Sequence, residues 1–255
     1  MSEVIYEKQG HIAHIKLNRP DRLNAISRSV AWELAEIWVD FRDDRDLWVA
    51  VLSGNGKSFC SGADMGEVQT DTWDFRQALP FGDDSLSPSK YHVWKPIIAA
   101  MHRHVFGLGF WLALECDIRI GSDDASFALP EAKINMPVLF TARLSRYLPP
   151  GIVAELLLMA RSIDAQRAYE LGLLNAIVEY RELISTASSM AEELCNNGPL
   201  AQRAMKEVYS RTRDMDYTSA LALTEHIVTP VFKSEDFVEA KRAFKEKRKP
   251  QWKLR

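Results

Sequence analysis

Short runs of apolar residues divide the first half of the chain into alternating strand-like and helix-like segments. Residues 12–17 (IAHIKL) alternate apolar and polar side chains, which is typical of a half-buried strand. Residues 48–53 (WVAVLS) form a short apolar run that predicts a buried strand, and a Gly-Asn-Gly turn follows it. Between these strands, residues 31–41 carry apolar side chains at helical spacing. This alternation predicts an α/β fold.

The same pattern continues further along the chain. Residues 97–101 (IIAAM) predict a strand, a helix is expected to open near Gly107, and residues 117–121 (DIRIG) and the stretch around Phe127 predict further short strands. A unit of two strands and a helix therefore recurs without a fixed sequence period. Residues 71–90, which are rich in Pro, Gly, Asp and Ser, predict a mobile loop or a frayed helix.

From about Gly151 the pattern becomes almost wholly helical. We therefore expect a core over residues 1–190 and a helical region over residues 191–255. The largely apolar stretch from Ala220 to Val228 and the side chain of Trp252 suggest that this region makes contacts between subunits.

Composition and charge exclude several classes of function. The 255 residues include 32 Lys and Arg against 35 Asp and Glu, a net charge of −3, so we expect no nucleic-acid partner. No apolar run reaches the roughly 18 residues that span a bilayer, and the first residues do not resemble a secretory signal. The odd, widely spaced Cys60, Cys116 and Cys195 form neither a disulfide framework nor a metal pattern. A cytoplasmic protein without a membrane partner is expected.

Two glycine-containing turns are candidates for binding an anionic group. Residues 59–65 (FCSGADM) follow the strand at 48–53, and residues 106–111 (FGLGFW) open the helix after the strand at 97–101. Backbone N–H groups exposed at such turns can stabilise an oxyanion. The simpler alternative is that each glycine only permits a tight turn. Neither turn has the spacing of a phosphate-binding or dinucleotide-binding loop.

Six ordered segments carry a resemblance to a known family. They are LNRPDRLNAI (17–26), FCSGADMGEV (59–68), KPIIAAMHRHVFGLGFWLALECDIRIG (95–121), FALPEAKIN (127–135), RSIDAQRAYELGLLNAIV (161–178) and FKEKRKPQW (244–252). In this order, the chain resembles the crotonase (enoyl-CoA hydratase/isomerase) superfamily over essentially its whole length. The resemblance implies a crotonase-like spiral of β-β-α units with a C-terminal helical region, assembled as a homotrimer or a dimer of trimers.

The resemblance also implies the substrate and the residues that bind it. Members of the family act on acyl-CoA thioesters and need no separate cofactor or metal, because coenzyme A is part of the substrate. Position by position, the oxyanion hole falls on the backbone N–H groups of Ala63 and Leu108. The CoA-binding residues implied in the same way are Arg22, Leu23, Asp64, Met65, Phe244 and Lys247.

The acid–base residues distinguish the reactions of this family. Hydratases use two glutamates, and the second of them matches Glu131 in Leu129-Pro130-Glu131. The first position is occupied by Trp111, which cannot transfer a proton. Glu115 lies four residues later on the same helical face and is an alternative second carboxylate, although a paired structural carboxylate is the interpretation we favour. For Glu131 itself, the alternative is an ion pair with Lys133 or an arginine.

A second departure from the family follows Glu131. In place of a glycine-rich helix start, the chain has Val138, Leu139 and Phe140, which together with Phe110 and Trp111 are expected to line a narrow, dry substrate pocket. Such a wall disfavours the charged form of a carboxylate and so raises its pKa. His102 and His104 are expected to share one face of an extended segment without binding a metal, and Cys60 is expected to be a small buried hydrophobic residue.

With the resemblance, these residues predict an isomerase-like enzyme. A backbone oxyanion hole would stabilise a thioester enolate, and one glutamate would act as the acid and base. Two alternatives stay open at this point. The first is an enoyl-CoA hydratase that uses Glu131 with an unrecognised second group. The second is a member of the fold that binds acyl-CoA without catalysis.

Overall fold

A computed structural model describes residues 2–68, 86–138 and 140–255. Most of the predicted loop at 71–90, and the predicted pocket residue Leu139, lie outside the described residues. The strands that are described are β1 (Val4–Gln9), β2 (Ile12–Leu17), β3 (Val49–Gly54), β4 (Ile97–Met101), β5 (His104–Phe106), β6 (Ile118–Ser122), β7 (Ser126–Ala128), β8 (Ser162–Asp164) and β9 (Ala176–Val178).

The helices surround these strands and make up most of the C-terminal third. They are α1 (Arg28–Asp43), α2 (Leu108–Leu114), α3 (Thr141–Leu144), α4 (Pro150–Leu158), α5 (Ala165–Glu170), α6 (Leu183–Cys195), α7 (Pro199–Thr212), α8 (Tyr217–Phe232) and α9 (Glu235–Glu246). Among the described residues, no helix combines the length and the apolar character that a membrane crossing requires.

Two sheets form the framework of the described residues. The larger has the strand order β1-β2-β3-β4-β6-β9, in which β1 and β2 pair antiparallel and every later pair is parallel. The smaller has the order β5-β7-β8, with β5 and β7 parallel. Parallel strands need long crossover connections, which explains why helices and loops separate them in the sequence.

Both faces of the larger sheet are covered at its centre, since β3 is buried over its first five residues and β4 over its whole length. Helix α1, whose N-terminus is capped by the Ser27 side chain, buries Trp38 and Phe41 in one cluster. Helix α6 buries Ala187 and Ala191 in a second cluster, which also contains side chains of β3 and β4. The sheet core thus provides a rigid base for the loops at the carboxyl ends of its strands.

The C-terminal third departs from the sequence-based expectation in two ways. Strands β8 and β9 interrupt the predicted helical region, and β9 pairs with β6 at the edge of the larger sheet. Each has only three residues, which is too short for a periodic pattern to be recognised. The predicted domain boundary at residue 190 falls inside α6, which packs against the sheet.

Candidate active site

Three loops meet where the smaller sheet begins. Cys60 bridges to Val105 of β5, with the Cys60 N–H donating to the His104 carbonyl at 2.9 Å and the Phe106 N–H donating to the Cys60 carbonyl at 3.0 Å. Gly107 then donates its N–H to the Ala128 carbonyl at 3.1 Å, at the end of β7. These backbone bonds hold the loop after β3, the turn before α2 and the segment after β7 together.

The two glycine turns touch each other. Gly62 and Gly107 have φ values of +110° and +51°, conformations that favour glycine. A Cβ atom on Gly62 would lie 3.7 Å from the Gly107 Cα and 3.8 Å from the Leu108 nitrogen. The two turns are therefore adjacent, and the backbone conformation at each favours glycine.

This contact positions the N–H groups of Ala63 and Leu108. Leu108 is the first residue of α2, so its N–H has no partner within the helix. At the other turn, the Ile26 N–H donates to the Gly62 carbonyl and the Asp64 N–H donates to the Ile26 carbonyl, both at 2.8 Å. The N–H of Ala63, between them, takes no part in this pairing. Neither amide donates to a protein acceptor in the described part of the chain.

Glu131 lies directly above the second turn. It belongs to a short 3-10 helix, Pro130–Ile134, and its carboxylate is so close that a Cβ atom on Gly107 would lie 2.6 Å from the Glu131 Oε1. The residue is 9% exposed, and Oε2 has no hydrogen-bond partner among the described residues. Burial raises the pKa of the Glu131 carboxyl above its ordinary value, against the effect of one backbone hydrogen bond.

The described ion pairs include none between Glu131 and Lys133 or an arginine. The alternative structural role considered for Glu131 is therefore not observed. A buried carboxylate without a partner is costly for stability, and such groups are concentrated at functional sites.

One small cavity collects these groups. It has a volume of about 30 Å³, room for about one water molecule. Its lining consists of Ala63, Leu108, Glu131, Met136, Pro137, Val138 and Phe140. The predicted amides, the predicted carboxylate and two of the predicted wall residues thus lie around a single space. Met136 and Pro137 complete the wall and were not among the sequence-based candidates.

The two aromatic residues at the start of α2 take different places. Trp111 stacks on Phe140, with ring centroids 5.6 Å apart and an interplanar angle of 19°. Phe110 is instead fully buried and packs on Phe127 at 5.6 Å, so it belongs to the core and does not line the cavity. Consecutive helical residues point about 100° apart, which explains why the prediction for Phe110 needs correction.

Glu115 is bound in a polar network behind Trp111. Its Oε2 accepts hydrogen bonds from Ser87 Oγ at 2.6 Å and Ser89 Oγ at 2.9 Å, while its Oε1 accepts from the Trp111 indole at 3.2 Å and forms an ion pair with Arg143. With both oxygens occupied, Glu115 is the paired structural carboxylate that we favoured. Sequence spacing carries no signal for Ser87, Ser89 or Arg143, because they lie in loops or in a short helix.

The histidines and Cys60 have structural surroundings. His102 is buried and its Nε2 lies 3.1 Å from the Gly56 carbonyl, and burial lowers the pKa of the imidazole. Cys60 packs where a Cβ atom of Gly109 would be, and burial raises the pKa of its thiol to about 12. In the described ranges, no group of three His, Cys, Asp or Glu side chains is arranged to hold a metal.

The predicted CoA-binding residues form two separate groups in this chain. Leu23 and Met65 are exposed near the glycine turns, beside Arg22 and Asp64, and Asp64 forms an ion pair with Arg19 at 2.9 Å. Phe244 is 87% exposed at the end of α9, and Lys247 caps that helix. The segment after Lys247 is hydrogen-bonded to Glu239 and Asp236, and no described hydrogen bond or ion pair joins it to Arg22.

Comparison with known proteins places this site in a family. The family model described as enoyl-CoA hydratase/isomerase matches residues 7–255. The chain belongs to the enoyl-CoA hydratase/isomerase family. Among curated relatives, it is 37% identical to a carnitinyl-CoA dehydratase of Citrobacter koseri and 36% identical to one of Escherichia coli strain K12, over 100% of both proteins in each case.

Solved structures agree with this assignment. An enoyl-CoA hydratase/isomerase of Mycobacterium paratuberculosis has a TM-score of 0.91 at 34% identity, covering 99% of each chain. An enoyl-CoA hydratase of Bacillus anthracis has a TM-score of 0.92 at 30% identity, covering 99% of this chain and 100% of the other. The predicted crotonase-like fold and the prediction of an acyl-CoA-processing enzyme are therefore confirmed.

Proposed function

We propose that this enzyme stabilises the enolate of an acyl-CoA thioester between the N–H groups of Ala63 and Leu108, with Glu131 as its one acid–base carboxylate. The observation that carries the proposal is the shared cavity, because it is lined by Ala63, Leu108 and Glu131, whose Oε2 has no hydrogen-bond partner among the described residues. Backbone donors fixed before the reaction stabilise developing charge without reorganisation.

In the proposed reaction, the thioester oxygen occupies the position between the two amides. Glu131 removes a proton from the α carbon of a 3-enoyl-CoA, and the electron pair moves into the thioester carbonyl to form the enolate. The same carboxyl then returns the proton to the γ carbon, so the double bond moves to the 2,3 position. Burial supports this role because it raises the pKa of Glu131 toward the working pH, where a carboxyl can both accept and donate a proton.

The surroundings of Trp111 favour isomerisation over hydration. A hydratase of this family holds water with a second carboxylate at this position, whereas the indole of Trp111 stacks on Phe140 and donates to Glu115. Glu115, the carboxylate that accepts from Trp111, already binds two serines and Arg143. Water addition therefore lacks the second carboxylate that family hydratases use, while proton transfer between carbons needs only one.

A second candidate is dehydration of a 3-hydroxyacyl-CoA, or the reverse hydration, with Glu131 and a second group still unrecognised. It is favoured by the relatives named carnitinyl-CoA dehydratase, which match over their full length. The two candidates differ in whether a second group must assist Glu131.

The test compares the wild type with Glu131→Gln and Trp111→Glu. Hydration of a 2-enoyl-CoA and isomerisation of a 3-enoyl-CoA are measured for each protein. We expect isomerisation to exceed hydration in the wild type, Glu131→Gln to lose isomerisation, and Trp111→Glu to gain hydration. Efficient hydration by the wild type would favour the second candidate, and no reaction with either substrate would contradict both.

Three further assignments belong to the same proposal. CoA is expected to run along Arg22, Leu23, Asp64 and Met65, with Phe244 and Lys247 contributing from the C-terminal segment. A homotrimer or a dimer of trimers is supported by α8, which buries no residue in the single chain and exposes Tyr217, Leu221 and Phe232. A cytoplasmic location is supported by the three cysteines, which are all free.

A further inference from the structure

A second cavity, much larger than the catalytic one, lies beside the C-terminal end of α2. Its volume is about 310 Å³, and it shares no lining residue with the catalytic cavity. Its cationic lining residues are Arg119, Arg143, Arg146, Lys206, Arg211 and Arg213. Glu115 and Asp117 are the carboxylates among the described lining residues, so six positive charges face two negative ones.

The two carboxylates neutralise two of the six cations, each through one ion pair. Glu115 forms its ion pair with Arg143, and Asp117 forms one with Lys206 at 2.6 Å. Two further cations have partners that do not line the cavity. These pairs are Arg146 with Asp214 at 2.6 Å, and Arg211 with Glu207 at 2.5 Å.

Arg119 and Arg213 are left without a carboxylate partner among the described residues. Arg119 is only 8% exposed, and its guanidinium donates to the carbonyls of Leu173 and Cys116, both at 2.7 Å. Both guanidinium groups lie close to the Tyr147 ring, at 5.2 Å and 4.9 Å from its centroid. A guanidinium stays charged at any physiological pH, so a buried one is favourable only with an anion or several acceptors nearby.

We propose that this cavity is a binding site for an oxyanionic group, a carboxylate or a phosphate. Planar guanidinium groups match the geometry of carboxylate and phosphate oxygens. The volume is about ten times the roughly 30 Å³ that one water molecule occupies in the liquid, so a carboxylate or phosphate group fits with part of its hydration shell.

Glu115 and Trp111 connect this second cavity to the wall of the catalytic cavity. Glu115 lines the second cavity and accepts a hydrogen bond from Trp111, whose ring stacks on Phe140, a lining residue of the catalytic cavity. The anion therefore has two sources with the same chemistry. It is either a free metabolite or the carboxylate at the far end of an acyl group. The second source rests on the proposed function, and the first does not.

The test measures binding by calorimetry at constant ionic strength, with inorganic phosphate and succinate as the free probes. Wild type, Arg213→Gln and Arg119→Gln are compared with Arg181→Gln, which removes one positive charge at an exposed ion pair with Glu179. We expect saturable binding that is weakened about tenfold or more in the first two variants, since each loses a charge-assisted contact, and unchanged in Arg181→Gln. Arg213 is exposed, so its variant decides the question even where Arg119→Gln fails to fold.

A second arm separates the sources by comparing glutaryl-CoA with butyryl-CoA. An Arg213-dependent preference for glutaryl-CoA, without binding of the free probes, assigns the site to the acyl group. Absence of both kinds of binding, or an equal loss in Arg181→Gln, would overturn the proposal. Deuterium exchange of butyryl-CoA is followed in parallel, so failure of this site is distinguished from failure of the catalytic proposal.

Discussion

Substitution of Gly107 by alanine places a methyl group against the carboxylate at the centre of the proposed chemistry. The new Cβ atom would lie 2.6 Å from Glu131 Oε1, although real Cβ atoms essentially never come within 3.0 Å of such an atom. It would also lie 3.5 Å from the Gly62 Cα. Either the carboxylate or the turn that carries the Leu108 amide must move. With φ at +51° and ψ at −119°, the backbone of Gly107 adds about 1–3 kcal/mol of strain for alanine.

The contact and the strain have different consequences, which permits a matched control. Gly10 has a φ of +55°, and no atom lies within 4 Å of a Cβ built there. Gly10→Ala should therefore lose unfolding free energy through backbone strain alone, about 1–2 kcal/mol, without touching the site. For Gly107→Ala we expect a loss of about 10²-fold or more in kcat/KM, because a 1 Å misplacement of a catalytic group has effects of that size.

The assay is isomerisation of a 3-enoyl-CoA, together with urea unfolding of the three proteins. Activity of Gly107→Ala within a factor of about two of the wild type would refute the placement of Glu131 over this turn. An equal loss of activity in Gly10→Ala would assign the effect to general strain.

Three other perturbations have defined outcomes. Glu131→Gln should raise the unfolding free energy more at pH 8 than at pH 5. Burial raises the pKa of Glu131 in the folded protein, so the wild type loses stability as the pH rises from the pKa of the unfolded state through that of the folded state. A difference between the two proteins that does not change with pH would contradict a buried carboxylate without an ion-pair partner. The acid limb of the pH profile of kcat/KM should lie above the ordinary glutamate value of 4.5, and a limb at or below it would be inconsistent with this environment. Arg143→Gln should destabilise the protein by about 1–3 kcal/mol, because it leaves the buried Glu115 carboxylate without the half-exposed cation that pairs with it, and Glu115→Gln added to it should recover part of the loss in thermal unfolding; no recovery in the double variant would argue against this ion pair.

Sequence patterns predicted the parts of the site that depend on backbone and spacing. The strands at 12–17 and 97–101, the glycine turns, and the positions of Ala63, Leu108 and Glu131 all follow from local signals and ordered motifs. Such features are local because a glycine conformation or an apolar run reports its own structure.

Sequence patterns did not predict side-chain direction or long-range pairing. Phe110 and Trp111 are neighbours in the chain, yet one lies in the core and the other stacks on Phe140. Ser87 and Ser89 reach Glu115 from a loop that is 26 to 28 residues away in the sequence, and no periodicity encodes that contact. Strand β9 has only three residues, and its place in the larger sheet depends on its pairing with β6.

Exchange of the α protons of an acyl-CoA with deuterated water tests the central claim most directly. It requires only the base and the oxyanion hole, whatever the later steps of the reaction are. The proposal predicts exchange catalysed by the wild type that falls by about 10²–10⁴-fold in Glu131→Gln, since general acid–base catalysis contributes on that scale. Exchange at the uncatalysed rate in the wild type, or at the wild-type rate in Glu131→Gln, would contradict it.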